Sequence, residues 1–402
     1  MTCSLRVLSV KSPLDAEREL AEIGLDPFSI RNLGPQMLHR LLLLDRIGSR
    51  EGDILKKELR SLGGDVAMPS GTGHGEASII LMGTDKQLRR LCANLSQQSF
   101  GLPSLSADIL RLLDTEADPP RIWKIGKRTL DLSRRPCIMG VLNVTPDSFS
   151  DGNRFSAADE AVERALAMQE EGADIIDIGG ESTRPGACPV DQDEELRRIM
   201  PVLERLAGEL AVPVSVDTFK SAVAKEALAA GAEIVNDISG LTFDERMAMV
   251  VASADAGLVL MHTRGKPDDM QKDTAYSSLI SEVTASLKWS LSLAEAAGIA
   301  PERIVVDPGI GFGKSVRGNL EILRKLSEFS VLGRPILVGT SRKSFIGAVL
   351  DRPVADRVFG TAATVALALG NGASILRVHD VREMRDVADM AMALIGPAKG
   401  PL

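Results

Sequence analysis

From residue 138 to residue 378 the chain repeats one unit eight times: a short apolar run followed by a longer, mostly Ala-rich amphipathic stretch. The runs are Ile138 to Val144, Ile175 to Ile178, Val214 to Val216, Ile234 to Ile238, Leu258 to Met261, Ile304 to Val306, Ile336 to Val338 and Ile375 to Val378. Near-continuous apolar runs suit strands buried on both faces, and regular alternation with helices is the pattern of a parallel sheet. Eight such units over about 260 residues predict a (β/α)8 barrel, the TIM-barrel architecture. A doubly wound open sheet is the alternative arrangement.

In a barrel the working face lies at the C-terminal ends of the strands. Those ends carry Asn143, Asp177, Asp217, Asn236, His262, Asp307, Lys343, and Arg377 with His379. Any one of them alone reads as a cap or turn residue. Together they bring polar groups to one rim, with two separable chemistries. The carboxylates and amides can read the donor and acceptor edge of a neutral heterocycle, while Arg184, Arg377 and His379 can hold a polyphosphate.

Two Gly-rich loops sharpen this reading. Asp177 interrupts an apolar strand, which costs free energy unless the carboxylate is hydrogen-bonded, and Gly179-Gly180 then opens a loop with Thr183 and Arg184. The stretch from Asp307 to Ser315 ends in Gly-Lys-Ser like a P-loop, but only three residues separate Gly309 from Gly313. The spacing excludes a triphosphate loop of that type. Glycines here instead let the backbone approach a flat ligand, with Asp307 reaching its edge.

The first 118 residues predict a separate small α/β domain, with strands at Leu5 to Val10 and Ala77 to Met82 and helices at Asp15 to Ile23, Gln36 to Ile47, Ile54 to Leu62 and Lys86 to Ser96. Residues 119–136 are expected to form a linker and a hairpin around Gly126-Lys127, and residues 137–396 the barrel. A net charge of -8 and only ten Phe, two Trp and one Tyr argue against a nucleic-acid surface. Cys3, Cys92, Cys137 and Cys188 form no metal-ligand pattern, and no apolar run is long enough to span a membrane. Reduced thiols and a cytoplasmic location are expected.

The segments Leu142 to Gly152, Gly179 to Gly186, Asp307 to Lys314, Ser341 to Ser344 and Arg377 to Asp380 resemble those of the dihydropteroate synthases, pterin-binding enzymes of folate biosynthesis and targets of sulfonamides. The resemblance covers roughly residues 122 to 395 and leaves the N-terminal domain unexplained. It implies Mg²⁺-assisted transfer of a dihydropterin-methyl group from its pyrophosphate ester to 4-aminobenzoate. By position in these motifs it implies Asp217, Asn236, Met261, Asp307 and Lys343 at the pterin. Asp177, Asp217 and Lys343 would be the catalytic groups. Asn143, Arg184, Arg377 and His379 would meet the pyrophosphate, with Asn143 a Mg²⁺ ligand and Asp151 a second candidate. Phe149, Thr183, Pro185, Lys343 and Ser344 would shape the aminobenzoate pocket, and the chain would be a homodimer. Thr263 and Arg264 depart from the Met and Gln found in many members. The rival readings are a methyltetrahydrofolate-dependent corrinoid methyltransferase and a non-catalytic pterin-binding module.

Overall fold

A computed structural model describes all residues except 1–4, 11, 70–74, 99–100, 118, 146–153, 185 and 396–402; for 117 and 154–157 it describes the backbone alone. The chain divides into two compact units, Met1–Pro119 and Pro120–Leu402.

The first unit comprises α1 (Pro13–Glu22), α2 (Pro27–Met37), β1 (His39–Gly48), α3 (Ser49–Ser61), β2 (Asp65–Ala67), β3 (Glu76–Thr84), α4 (Asp85–Leu95) and α5 (Leu102–Ala117). Its sheet is antiparallel in the order β1-β3-β2. Leu42, Ile79 and Leu81 from the sheet pack with Leu55, Leu59, Leu88, Leu91 and Leu113 from the helices. Two expectations fail here. The helix expected over Gln36 to Ile47 is mostly strand, because β3 pairs with the Leu41–Leu44 run and turns Leu42 inward while Leu41 and Leu43 stay exposed. Leu5 to Val10 forms no strand, for it has no ladder partner, and Leu5 and Val7 are exposed. Helix α2 went unanticipated although its start is marked: Asp26 accepts from Phe28 N at 2.9 Å and from Ser29 N at 3.1 Å, and Pro27 follows it.

The second unit opens with a hairpin, β4 (Ile122–Ile125) and β5 (Arg128–Asp131), that turns at Gly126 with φ +52°. Eight parallel strands follow: β6 (Cys137–Asn143), β7 (Ile175–Gly179), β8 (Val214–Asp217), β9 (Ile234–Asp237), β10 (Gly257–Met261), β11 (Ile304–Asp307), β12 (Ile336–Val338) and β13 (Ala373–Val378). They close into a barrel in chain order, β13 pairing with β6. Helices α6 (Arg154–Glu170), α7 (Gln192–Leu206), α8 (Ser221–Ala229), α9 (Met247–Ser253), α10 (Leu279–Ala296), α11 (Val316–Arg324), α12 (Ser344–Leu350), α13 (Val358–Gly370) and α14 (Val381–Ile395) complete the unit.

Strand side chains alternate with period two, so each strand feeds two cores. Ile176, Ile178, Val216, Leu258, Leu260 and Val306 pack with helix residues. Ile175, Ile234, Val259, Val305, Leu337 and Ile375 pack with Trp123 and Ile125 of the hairpin. The hairpin thereby stops the N-terminal end of the barrel, and Trp123 Nε1 donates to Arg303 O at 2.9 Å. Two residues further along β7, β9, β11 and β13, the inward positions become Asp177, Asn236, Asp307 and Arg377. The interior therefore changes from apolar to ionic within one pleat repeat.

Candidate active site

Asp177, Asp217, Asn236 and Asp307 are all buried. Arg377 joins two of them, with Nε donating to Asp177 Oδ2 and Nη2 to Asp217 Oδ2, both at 2.6 Å. Asn236 Nδ2 donates to the same Asp177 oxygen at 3.1 Å. The remaining oxygens, Asp177 Oδ1 and Asp217 Oδ1, are buried without a hydrogen-bond partner. A buried acceptor left open is costly, so these oxygens are where a ligand donor is best rewarded. Burial, opposed by Arg377 and reinforced by Asp177, pushes the Asp217 carboxyl up to about 7. Burial works against the Arg377 cation, but Asp177 and Asp217 more than offset it and hold the guanidinium firmly charged.

The loop after β11 forms a second wall. Gly309, Gly311 and Gly313 all have positive φ, and a Cβ on Gly309 would lie 1.9 Å from His262 O. Only glycine fits that approach. Asp307 Oδ1 accepts from Gly309 N at 2.7 Å, and burial raises its carboxyl above the ordinary range. Lys343 sits at the start of α12, donates to Ile310 O, and lies 4.7 Å from the centre of the Phe312 ring. Burial lowers its ammonium to about 8, with Asp307 acting in the opposite sense. Met261, Ile238, Met270 and Phe312 supply an apolar patch beside these groups.

His379 is half-buried and bonded through Nδ1 to Ser341 Oγ at 3.0 Å. Burial, helped by Arg377 and Arg342, lowers the imidazole to about 4, so the ring is neutral at pH 7. Arg184 lies close enough to contribute to that shift, and its own side chain is exposed. Asn143 closes β6 half-buried, Thr183 is half-buried and Ser344 is exposed at the first turn of α12. Phe149, Asp151 and Pro185 lie outside the described residues.

His262 is at the expected strand end but turns away from this role. It is buried, receives Lys314 at Nδ1 over 2.9 Å, and burial takes its imidazole down to about 2. Arg264 has a structural place: it stacks 4.1 Å from the Tyr276 ring centre and pairs with Glu282 at 3.2 Å. Lys314, Lys220, Glu181 and Glu195 escaped the sequence reading. Glu181 and Lys314 lie inside the Gly-rich motifs, and that placement was the available signal.

Among the described residues no group of three His, Cys, Asp or Glu could hold a metal ion. A Mg²⁺ ion needs no such group, because it commonly takes one or two protein ligands and completes its shell with phosphate oxygens and water. The half-buried amide of Asn143 suits that donor set.

A family model described as pterin binding enzyme matches residues 139–379. A dihydropteroate synthase of Synechocystis sp. is 48% identical over 277 residues, covering 69% of this chain and 96% of the relative. A probable bifunctional folylpolyglutamate synthase/dihydropteroate synthase of Halobacterium salinarum is 43% identical over 374 residues. That match takes in 92% of this chain, and so part of its N-terminal unit, but only 44% of the relative. The dihydropteroate synthase of Xanthomonas albilineans, solved with 4-aminobenzoic acid, superposes with a TM-score of 0.65 at 43% identity, covering 69% of this chain and 99% of that one. No helix among the described residues is long and apolar enough to cross a membrane. The agreement of the family model, a relative matched along nearly its whole length and the fold itself means that this chain belongs to the dihydropteroate synthases of the pterin-binding enzyme family.

Proposed function

We propose that residues 137–396 act as the catalytic barrel and transfer the dihydropterin-methyl group of 6-hydroxymethyl-7,8-dihydropterin pyrophosphate to 4-aminobenzoate, giving 7,8-dihydropteroate and pyrophosphate. One observation supports this above the others: Asp177, Asp217 and Asn236 form a single buried network with Arg377, beside which lie Asp307 and Lys343.

In this reading Asp307, Asn236, Asp217 and Lys343 bind the pterin edge. A carboxylate offers two acceptor oxygens to a ring N–H and an amino group, which no neutral side chain does. Met261 packs on the ring. Arg377, Arg184, Asn143 and the neutral His379 take the diphosphate, and Thr183, Lys343 and Ser344, with Phe149 and Pro185, receive the aminobenzoate. Mg²⁺, held through Asn143 with Asp151 as a further candidate ligand, would supply neutralisation of the departing phosphate charge.

The chemistry asked of the chain is then modest. Asp217 and Asp177 stabilise positive charge developing on the pterin-methyl carbon as its bond to oxygen breaks, in a site where fixed charges act strongly. The aromatic amine is already neutral at pH 7 and attacks without a strong base, so most of the rate comes from positioning. Arg377 must share its guanidinium between the two carboxylates and the anion. The assay is incubation with the pterin pyrophosphate, 4-aminobenzoate and Mg²⁺, following pyrophosphate release with and without the amine. Amine-dependent release is expected, and release that ignores the amine would sink the reading. The subunit would pair as a homodimer, which sedimentation of the full chain tests.

A further inference from the structure

Behind the rim lies an ionic group outside the machinery described above. Lys220, just past the end of β8, donates to Glu181 Oε2 at 2.6 Å and to Glu195 Oε2 at 2.5 Å. Glu195 belongs to the first turn of α7 and is fully buried; Glu181 is nearly so. The other oxygen of Glu181 accepts from Val190 N at 3.0 Å, tying the two ends of the chain segment that carries Thr183 and Arg184. The same root is held once more where Arg198 of α7 donates to Gly180 O at 2.8 Å. Gly180 has no room for a side chain, because a Cβ there would meet Ile199 at 2.8 Å, so the segment starts packed closely on α7.

A surface ion pair placed like this would contribute little. This one differs because one ammonium serves two buried carboxylates from separate elements, and loss of a shared partner leaves buried charge uncompensated. Its three members come from the segment after β7, from α7 and from the segment after β8. Lys220 also follows Asp217 by three residues and lies 4.9 Å from the ring centre of Phe219, which packs on the apolar patch with Met261 and Phe312. The ammonium is thus the point where the two rim segments are joined. Neither carboxylate nor the ammonium has a place in the pterin or diphosphate contacts proposed above.

We infer that Lys220, through Glu181 and Glu195, is a positioning residue that fixes Thr183 and Arg184 in the place needed for the second substrate and the diphosphate. The inference rests on the proposed roles of those two residues. Misplacement by 1 Å can cost about 10²-fold, so the effect should be large and confined to what the segment touches.

The test uses Lys220→Met and Lys220→Arg in the full chain. For Lys220→Met the KM for 4-aminobenzoate and the inhibition constant for pyrophosphate should each rise about tenfold or more. Affinity for 6-hydroxymethylpterin, which lacks phosphates, should stay within about twofold, and Lys220→Arg should recover most of the loss. Equal losses for the pterin alone and for aminobenzoate would mark a merely structural group and overturn the inference, as would unchanged constants. If Lys220→Met fails to fold, Glu181→Gln decides: it keeps the Lys220 to Glu195 pair, and the same selective rise in KM is required of it. A wild-type chain that releases no pyrophosphate in response to the amine would instead defeat the proposed function and leave this inference without its premise.

Discussion

The two ends of the barrel interior are built from the same strands and differ in almost everything else. At the N-terminal end Ile175, Ile234, Val305 and Ile375 meet the fully buried Trp123. One pleat repeat away Asp177, Asn236, Asp307 and Arg377 occupy the same inward direction, with acceptor oxygens of Asp177 and Asp217 left open. Burial of apolar area stabilises the first layer, whereas the second puts charges in a poor solvent and recovers the cost only through close pairing. The contrast teaches that fold and reactivity are separated here along the strand axis, by about 7 Å of backbone at roughly 3.3 Å per residue.

This separation can be broken most forcefully at its apolar end. Trp123→Ala should cost about 3–5 kcal/mol of stability, as for large-to-small changes in a core, read as a lower denaturant midpoint. At temperatures where the variant stays folded, kcat/KM should change by less than about threefold. A large drop in activity in folded protein would show that the stopper reaches the rim. Lys343→Ala should do the reverse: a fall of about 10²–10³-fold in kcat/KM, the cost of removing one preorganised electrostatic group, with no loss of substrate-free stability at pH 7, where burial disfavours the ammonium.

A smaller effect separates the two ends by pH. The Lys343 ammonium titrates near 8 in the folded protein and near 10.4 in an unfolded chain. Activity that needs the cation should fall about tenfold per pH unit above about pH 8. The contribution of the same group to folding has the opposite sign. Between pH 8 and about 10.4 the unfolded chain binds more protons, so substrate-free stability from this group rises with pH. Lys343→Arg should remove the alkaline limb; if the limb persists unaltered, another group sets it.

Much of the barrel was legible because strand burial on both faces writes itself as apolar runs, and Asp177 stood out as a charge inside one. Its meaning needed the period of two: Ile176 and Ile178 face the helices, and Ile175 and Asp177 face the axis. Less visible was anything made by side chains distant in sequence. The pairing of Lys220 with Glu181 and Glu195, or of Lys314 with His262, leaves no periodic trace. In the first unit the Leu41–Leu44 run satisfies helix and strand spacing alike, and only the partner strand decides between them. The roles of Phe149, Asp151 and Pro185 stay with the residues outside the described structure.

The glycine-rich segment after β11 has a consequence for how such an enzyme can change over generations. A methyl group on Gly309 would collide with His262 O, and one on Gly313 would lie 2.7 Å from Arg264 O. No side chain is acceptable at those positions, so only silent changes can accumulate there and this wall is closed to drift.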